Sequence, residues 1–292
     1  MKISYWPDNA ALNSQPAMKT LLEAVSKTDT LVENTIEADA TIIWSVLWYG
    51  RMAKNKRAWD EFRKRNKPVI VLEVGGLVRN NTWRLSINGI NRTAIFPTIE
   101  KYDVDRPAKL GLDLLPWHDG EYILICGQHG FSEQWANMPP MDQYYKETVE
   151  KIRKYSDKPI VIRSHPRFRE RIHFKVDEKF YTDRGIEWNS PKKVVKTYDN
   201  FDLEPLLSHC HAVVSQSSNS GITAIRCGTP AIVGTESLAY PVATNDFAQI
   251  ATPPTPDRNN WLVELSHKEW LLDELQTNSP WLALRENLVM VV

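Results

Sequence analysis

AVVSQSSNSGITAIRCGTPAIV, residues 212–233, holds one complete unit of α/β architecture. Residues 211–215 read as a buried strand, and a serine-rich turn follows them. Residues 220–227 read as a helix that stops at Gly228, and residues 230–233 form the next strand. The helix opens on free backbone N–H groups reinforced by its dipole, which is a ready anion site. Ser217, Ser218 and Ser220 add hydroxyl donors there, and Gly221 lets the backbone come close. Ser218 or Asn219 acting only as a helix cap is the plainer alternative. Ligands in open α/β sheets sit at the carboxyl ends of strands, which favours the binding reading for the loop as a whole.

The same grammar extends to both sides. Upstream, residues 121–126 and 159–163 read as strands, with an amphipathic helix at 141–156 whose apolar face is Tyr144, Tyr145, Val149, Ile152 and Tyr155. The first part of the chain repeats the pattern, with strands at 2–6, 40–46 and 68–73 and helices near 18–26 and 53–66. In the second of those helices Trp59 and Phe62 are spaced to face inward. Such strand–helix alternation predicts parallel sheets flanked by helices. Residues 74–92 read as a long Gly/Asn/Arg-rich loop, and residues 101–120 as the domain linker. The expected organisation is therefore a domain at 1–112, a second at 113–255, and a Trp-rich helical tail at 256–292 packing back on the first.

Composition narrows the function classes. A chain of 292 residues suits about two domains. Lys+Arg and Asp+Glu are both 36, so there is no basic excess of the kind that supports non-specific nucleic-acid binding. No apolar run approaches the roughly 18–20 residues of a membrane span, and residues 1–7 lack the apolar core of a secretory signal. Cys126, Cys210 and Cys227 have no CxxC spacing, so they read as reduced thiols with neither disulfide framework nor zinc site. A cytoplasmic protein is expected. No acidic cluster has metal-ligand spacing, so no metal is expected.

Further candidate residues stand at other strand ends. Arg163-Ser-His-Pro-Arg167 stands at a strand's carboxyl end: His165 can donate to a phosphate or act as general acid, and Arg163 and Arg167 offer forked donors, a surface turn with solvated arginines being the plainer alternative. Gly127, Gln128 and His129 follow another, and the glycines of that turn permit close approach to a ligand. His129 is equally readable as a buried structural histidine. Glu73 ends a buried strand and is a candidate general base, or simply the cap of the next turn. Arg79, Trp83, Arg84, Asn88, Asn91 and Arg92 cluster in the 74–92 loop. Arginines interleaved with an aromatic and amides can hold a phosphodiester or a planar base.

His165-Pro166 followed by Ser217-Ser218 and a small-residue helix resembles the paired His-Pro and Ser/Thr motifs of GT-B-type glycosyltransferases. The similarity is to bacterial sialyltransferases, capsule Kdo transferases and teichoic-acid polymerases, and it covers residues 121–233. The resemblance implies an α/β, GT-B-like fold of two Rossmann-like domains facing across a cleft, with C-terminal helices crossing back. It also implies that His165, Ser217 and Ser218 grip the phosphate of a nucleotide-activated donor, usually a cytidine nucleotide. Many such enzymes carry a donor-ribose glutamate in the helix after the serines; here that helix has Thr223. In overall style, including the Trp-rich tail, the chain is also similar to phage-encoded glycosyltransferases, some of which modify hydroxymethylated pyrimidines in DNA.

The resulting expectation is a metal-independent glycosyltransferase with a nucleotide sugar as co-substrate and no other cofactor. Glu73 and His165 are its catalytic candidates. Gly127, Gln128, His129, Arg163, Ser217, Ser218, Ser220, Gly221 and Thr223 face the donor, while Arg79, Trp83, Arg84, Asn88 and Arg92 face the acceptor. The first acceptor choice is a hydroxymethylated pyrimidine in double-stranded phage DNA, the second a surface glycan. A nucleotide-sugar epimerase and a non-catalytic binding module are the alternatives.

Overall fold

The structure, a computed structural model, describes residues 1–11, 14–170, 172–197 and 200–291, with side chains as far as Leu288. Its strands are β1 (Lys2–Tyr5), β2 (Thr30–Glu33), β3 (Ala40–Trp44), β4 (Val69–Val74), β5 (Thr82–Ile87), β6 (Tyr122–Cys126), β7 (Ile160–Arg163), β8 (Glu187–Asn189), β9 (Cys210–Ser215), β10 (Ala231–Val233) and β11 (Glu269–Leu271). Its helices are α1 (Gln15–Val25), α2 (Asn55–Lys64), α3 (Arg106–Lys109), α4 (Met141–Arg153), α5 (Glu178–Thr182), α6 (Glu204–Leu207), α7 (Asn219–Arg226), α8 (Asn259–Ser266), α9 (Leu272–Gln276) and α10 (Ser279–Val291). They form two compact units: Met1–Leu112 with Phe131–Glu133 and Leu262–Val292, and Asp113–Gly130 with Gln134–Trp261.

The first unit holds a six-stranded sheet in the order β11-β5-β4-β3-β1-β2. Side chains alternate across a strand, so each central strand must feed two cores. Ile42, Trp44, Ile70 and Leu72 pack on one face with Leu21 and Val25 of α1 and Trp281 and Leu284 of α10. Ile43, Val69 and Val71 pack on the other with Ala58, Trp59 and Phe62 of α2. Burial on both faces explains why these strands read as continuous apolar runs. Asn66 at φ +55° ends α2 in the left-handed conformation, where asparagine is tolerated.

Two expectations fail in this unit. The long loop at 74–92 contains a strand, β5, which runs antiparallel to β4. The tail is not purely helical either. Its residues Glu269–Leu271 form β11, antiparallel to β5, with Glu269 opposite Arg84 and Trp270 opposite Trp83. Residues 262–292 thus belong to the first unit, while 256–261 stay with the second, where Trp261 donates to the Leu238 carbonyl at 2.8 Å.

The second unit is a five-stranded, all-parallel sheet in the order β10-β9-β6-β7-β8. Ile123, Ile125, Ile160, Ile162 and Val214 pack beneath Tyr145, Val149 and Ile152 of α4. Leu124, Cys126 and Val213 face the opposite way, toward Leu207 of α6 and Ala224 of α7. Tyr155 is exposed because α4 ends at Arg153, before its apolar stripe reaches that residue. Among the described residues no helix is long and apolar enough to cross a membrane. The three cysteines are free thiols, two of them buried.

Candidate functional site

Parallel strands in the order β9-β6-β7 set three carboxyl ends side by side. The loops that leave them begin at Gln216, Gly127 and Ser164, so the topology gathers the serine turn, the Gly-Gln-His-Gly turn and the His-Pro turn at one sheet edge. Two contacts tie them together. Gln128 reaches Ser217, and His129 packs edge-on to His165 with ring centroids 5.3 Å apart.

The serine loop divides its roles. Ser218 is the N-cap of α7, its hydroxyl accepting from the Ser220 N–H at 3.3 Å, which realises the plain capping function. Ser217 is 8% exposed and engages Gln128: its N–H and its Oγ lie 3.3 and 3.2 Å from Gln128 Oε1. Ser220 is turned inward beside the Cys126 thiol, whose pKa burial pushes up to about 11. Thr223 Oγ1 donates back to the Asn219 carbonyl at 3.1 Å, the local bond expected of a helical threonine. Gly221 lets α7 settle on the sheet, since a Cβ there would stand 3.0 Å from Val233.

The His-Pro turn is held by one backbone bond and two that use its side chains. The Phe168 N–H donates to the His165 carbonyl at 2.9 Å, and the Arg167 N–H donates to His165 Nδ1 at 3.1 Å. A ring nitrogen that accepts carries no proton, so the neutral imidazole keeps its proton on Nε2. That N–H is a donor fixed in direction by the turn. Arg169 Nε adds a bond to the Pro166 carbonyl at 2.9 Å.

The neighbouring groups are held by packing and by bonds to other elements. His129 is 3% exposed, and burial, with the charges of His173 and Arg167, lowers its pKa to about 4. It is a neutral ring packed on His165 and Phe168. Gly127 is required by close packing, because a Cβ would stand 1.9 Å from the Tyr145 hydroxyl. Arg163 is buried, with one guanidinium nitrogen on Asn189 Oδ1 and the other 2.7 Å from Asp202 Oδ1. Its fork therefore joins β7 to β8 and the 202 segment. Asn189 and Asp202 were not signalled by the sequence, since neither stands in a recognisable motif.

In the first unit, Glu73 is half-buried at the end of β4 and accepts from Ser45 Oγ at 2.5 Å and from the Val74 N–H at 2.9 Å. Burial raises its pKa, opposed by those two bonds and by the charges of Arg79 and Arg84. Ser45, at φ +63°, went unnoticed in the sequence; a serine rarely adopts that backbone, and no pattern announced it.

The five residues expected to face an acceptor do not form one surface loop. Trp83 is a core residue of the first sheet. Arg84 is 2% exposed and pairs with Glu269 at 2.7 Å. Asn88, at φ +59°, turns its Oδ1 onto the Val69 N–H at 3.0 Å. Asn91 is buried as well. Arg79 is half-buried and Arg92 exposed. The strand β5 claims the first two residues because their partners, on β11, lie far along the chain.

No protein-family model matches the chain, and no curated protein matches its sequence. Solved structures do match. The β-Kdo 2,7 transferase of KpsC from Thermosulfurimonas dismutans superimposes with a TM-score of 0.51 at 11% identity, over 97% of this chain and 99% of that one. The fold is shared with a Kdo transferase. The β-Kdo 2,4 transferase from the same organism gives a TM-score of 0.46 at 14% identity, over 90% of this chain and 98% of that one. At such identities the likeness is one of architecture: a GT-B-like α/β chain of two Rossmann-like units.

Proposed function

We propose that this chain is a glycosyltransferase that takes a sugar from a nucleotide-activated donor and delivers it to a hydroxyl group of a glycan. The observation that carries the reading is that the topology sets the Ser217 turn, the α7 N-terminus and the His165 turn side by side at one sheet edge. Such a set suits a phosphate, since N–H and O–H donors are aligned before any charge develops. A nucleotide sugar would rest its phosphate there, with Ser217 and His165 as side-chain donors. As the anomeric carbon–oxygen bond breaks, the electron pair goes to the phosphate oxygen, where His165 stabilises it. The acceptor oxygen forms the new bond and gives its proton to a general base, the role for which Glu73 is the candidate. The likeness to a Kdo transferase supports sugar transfer, and the His-Pro and serine motifs favour a cytidine nucleotide.

A glycan is favoured over DNA because three of the five side chains expected to grip a nucleic acid are engaged elsewhere: Trp83 in the core, Arg84 on Glu269, Asn88 on its own hairpin. Transfer assays with a glycan acceptor and with hydroxymethylated duplex DNA separate the two. Product on the glycan is expected, with no steep salt dependence in any DNA affinity; transfer to DNA with such a salt slope would reverse the assignment. Interconversion of the nucleotide sugar with no acceptor present would instead mark an epimerase.

Glu73 gives a pH-dependent test. A base must be ionised, and burial raises this carboxyl above its ordinary value, so turnover is expected to decline toward acid from a pH above the usual glutamate range of about 4.3. The same shift makes the protonated form the better folded one, a contribution lost as pH rises through the raised pKa. E73Q should therefore fold at neutral pH yet lose about 10²-fold or more in kcat, with the acid limb gone. Wild-type turnover in E73Q would remove Glu73 from the mechanism.

A further inference from the structure

We infer that Gln128 is a positioning residue that decides which way Ser217 offers its hydroxyl proton. The inference rests on the reading of Ser217 as a phosphate donor. Gln128 is 5% exposed and Ser217 8%, so water competes little for their hydrogen bonds. The loop around Gln128 is pinned at both ends: a Cβ on Gly127 would strike the Tyr145 hydroxyl, and one on Gly130 would lie 2.5 Å from the Phe168 ring.

The amide makes contacts at both ends. Its Nε2 donates to Gln134 Oε1 at 3.1 Å and to Ser217 Oγ at 3.2 Å. Its Oε1 accepts from the Ser217 N–H at 3.3 Å and is 3.2 Å from Ser217 Oγ, within reach of the hydroxyl proton. A hydroxyl has one proton and two lone pairs, so Ser217 can accept from Nε2 while its own proton turns either to Oε1 or outward. With no anion at the loop the proton rests on Oε1. When a phosphate oxygen arrives, the proton swings to it, and Nε2 still holds the serine oxygen in place. Oε1 meanwhile keeps the Ser217 N–H. Glutamine thus both parks the proton and releases it. A carboxylate in its place would present only acceptors and keep the proton, and its charge would repel the phosphate.

The test measures CMP affinity of wild type, Q128E, Q128M, S217A and the double variant Q128M/S217A by isothermal titration calorimetry. Wild type and Q128E are followed from pH 8 to pH 5; dividing by the wild-type value at each pH removes the titration of CMP itself. Q128E is expected to bind about tenfold or more weakly at pH 8, with the ratio closing toward pH 5 as the introduced carboxyl is protonated and again carries a donor. Charge repulsion alone would also fade in acid, so the second arm decides. Q128M should weaken CMP about tenfold in the wild-type background and change it less than about twofold in S217A, because its effect acts through the serine proton. The Q128M arm stands by itself if Q128E does not fold. A ratio that stays flat with pH, or additive losses in the double variant, would overturn the role of Gln128 while leaving the phosphate site intact. Wild-type affinity in S217A would overturn the phosphate reading of Ser217 and this inference with it.

Discussion

E269A is expected to lower the melting temperature by about 10 °C or more, the largest stability loss of any single substitution considered. Glu269 is fully buried and accepts from four donors: the Gly76 N–H at 2.7 Å, the Leu77 N–H at 3.1 Å, Thr82 Oγ1 at 2.7 Å and Arg84 Nη2 at 2.7 Å. Removing one partner of a buried ion pair costs about 3–5 kcal/mol, because the other charge is left without compensation. The two backbone N–H groups add to that cost when they lose their acceptor. In domains of this size about 1 kcal/mol moves the midpoint by about 2–4 °C. R84M should cost less, since Glu269 would keep three of its donors. Thermal denaturation followed by circular dichroism checks both, and an E269A midpoint within about 2 °C of wild type would show that β11 does not hold the first sheet together.

The second large effect concerns turnover. H165A is expected to lower kcat by about 10²–10³-fold, the usual loss when a preorganised donor to a developing negative charge is removed. Its fold should survive, because the turn keeps its backbone bond from the Phe168 N–H to the His165 carbonyl. S217A should weaken nucleotide binding with little change in stability beyond its Gln128 contact. S218A should do the reverse: it removes the cap of α7, worth about 1 kcal/mol. Steady-state kinetics with a nucleotide sugar, beside melting curves, would separate the pair. Unchanged turnover in both H165A and S217A would return the serine loop to being a helix cap.

How legible these features were depends on where each residue finds its partner. The central strands declare themselves because both faces are buried: Ile42 and Trp44 meet α1 and α10 while Ile43 meets α2, so neither face calls for exposed polar residues. The edge strands β2 and β8 carry exposed polar residues and have no such signature. Strand β5 is hidden for another reason. Thr82, Arg84 and Ser86 alternate with Trp83, Leu85 and Ile87, and the polar face is buried only because Glu269, 185 positions away, neutralises Arg84. Within the site, the serine turn and the His-Pro turn stand out as polar residues directly after apolar strands. The engagement of Arg163 does not, since it depends on Asn189 and Asp202, which the fold alone brings near. The same holds for Ser45, whose left-handed backbone has no sequence signature.

The central claim is a phosphate site formed by Ser217 and His165, and nucleotide-dependent thermal stabilisation tests it most directly. Wild type, H165A and S217A would be melted with CMP, CDP, UDP and GDP. At about 100 times its Kd, a ligand adds roughly 2.7 kcal/mol of apparent stability, an easily measured shift. One nucleotide, expected to be a cytidine nucleotide, should stabilise wild type strongly and both variants much less. Equal stabilisation of the variants, or none of wild type by any nucleotide, would contradict the site and with it the glycosyltransferase reading.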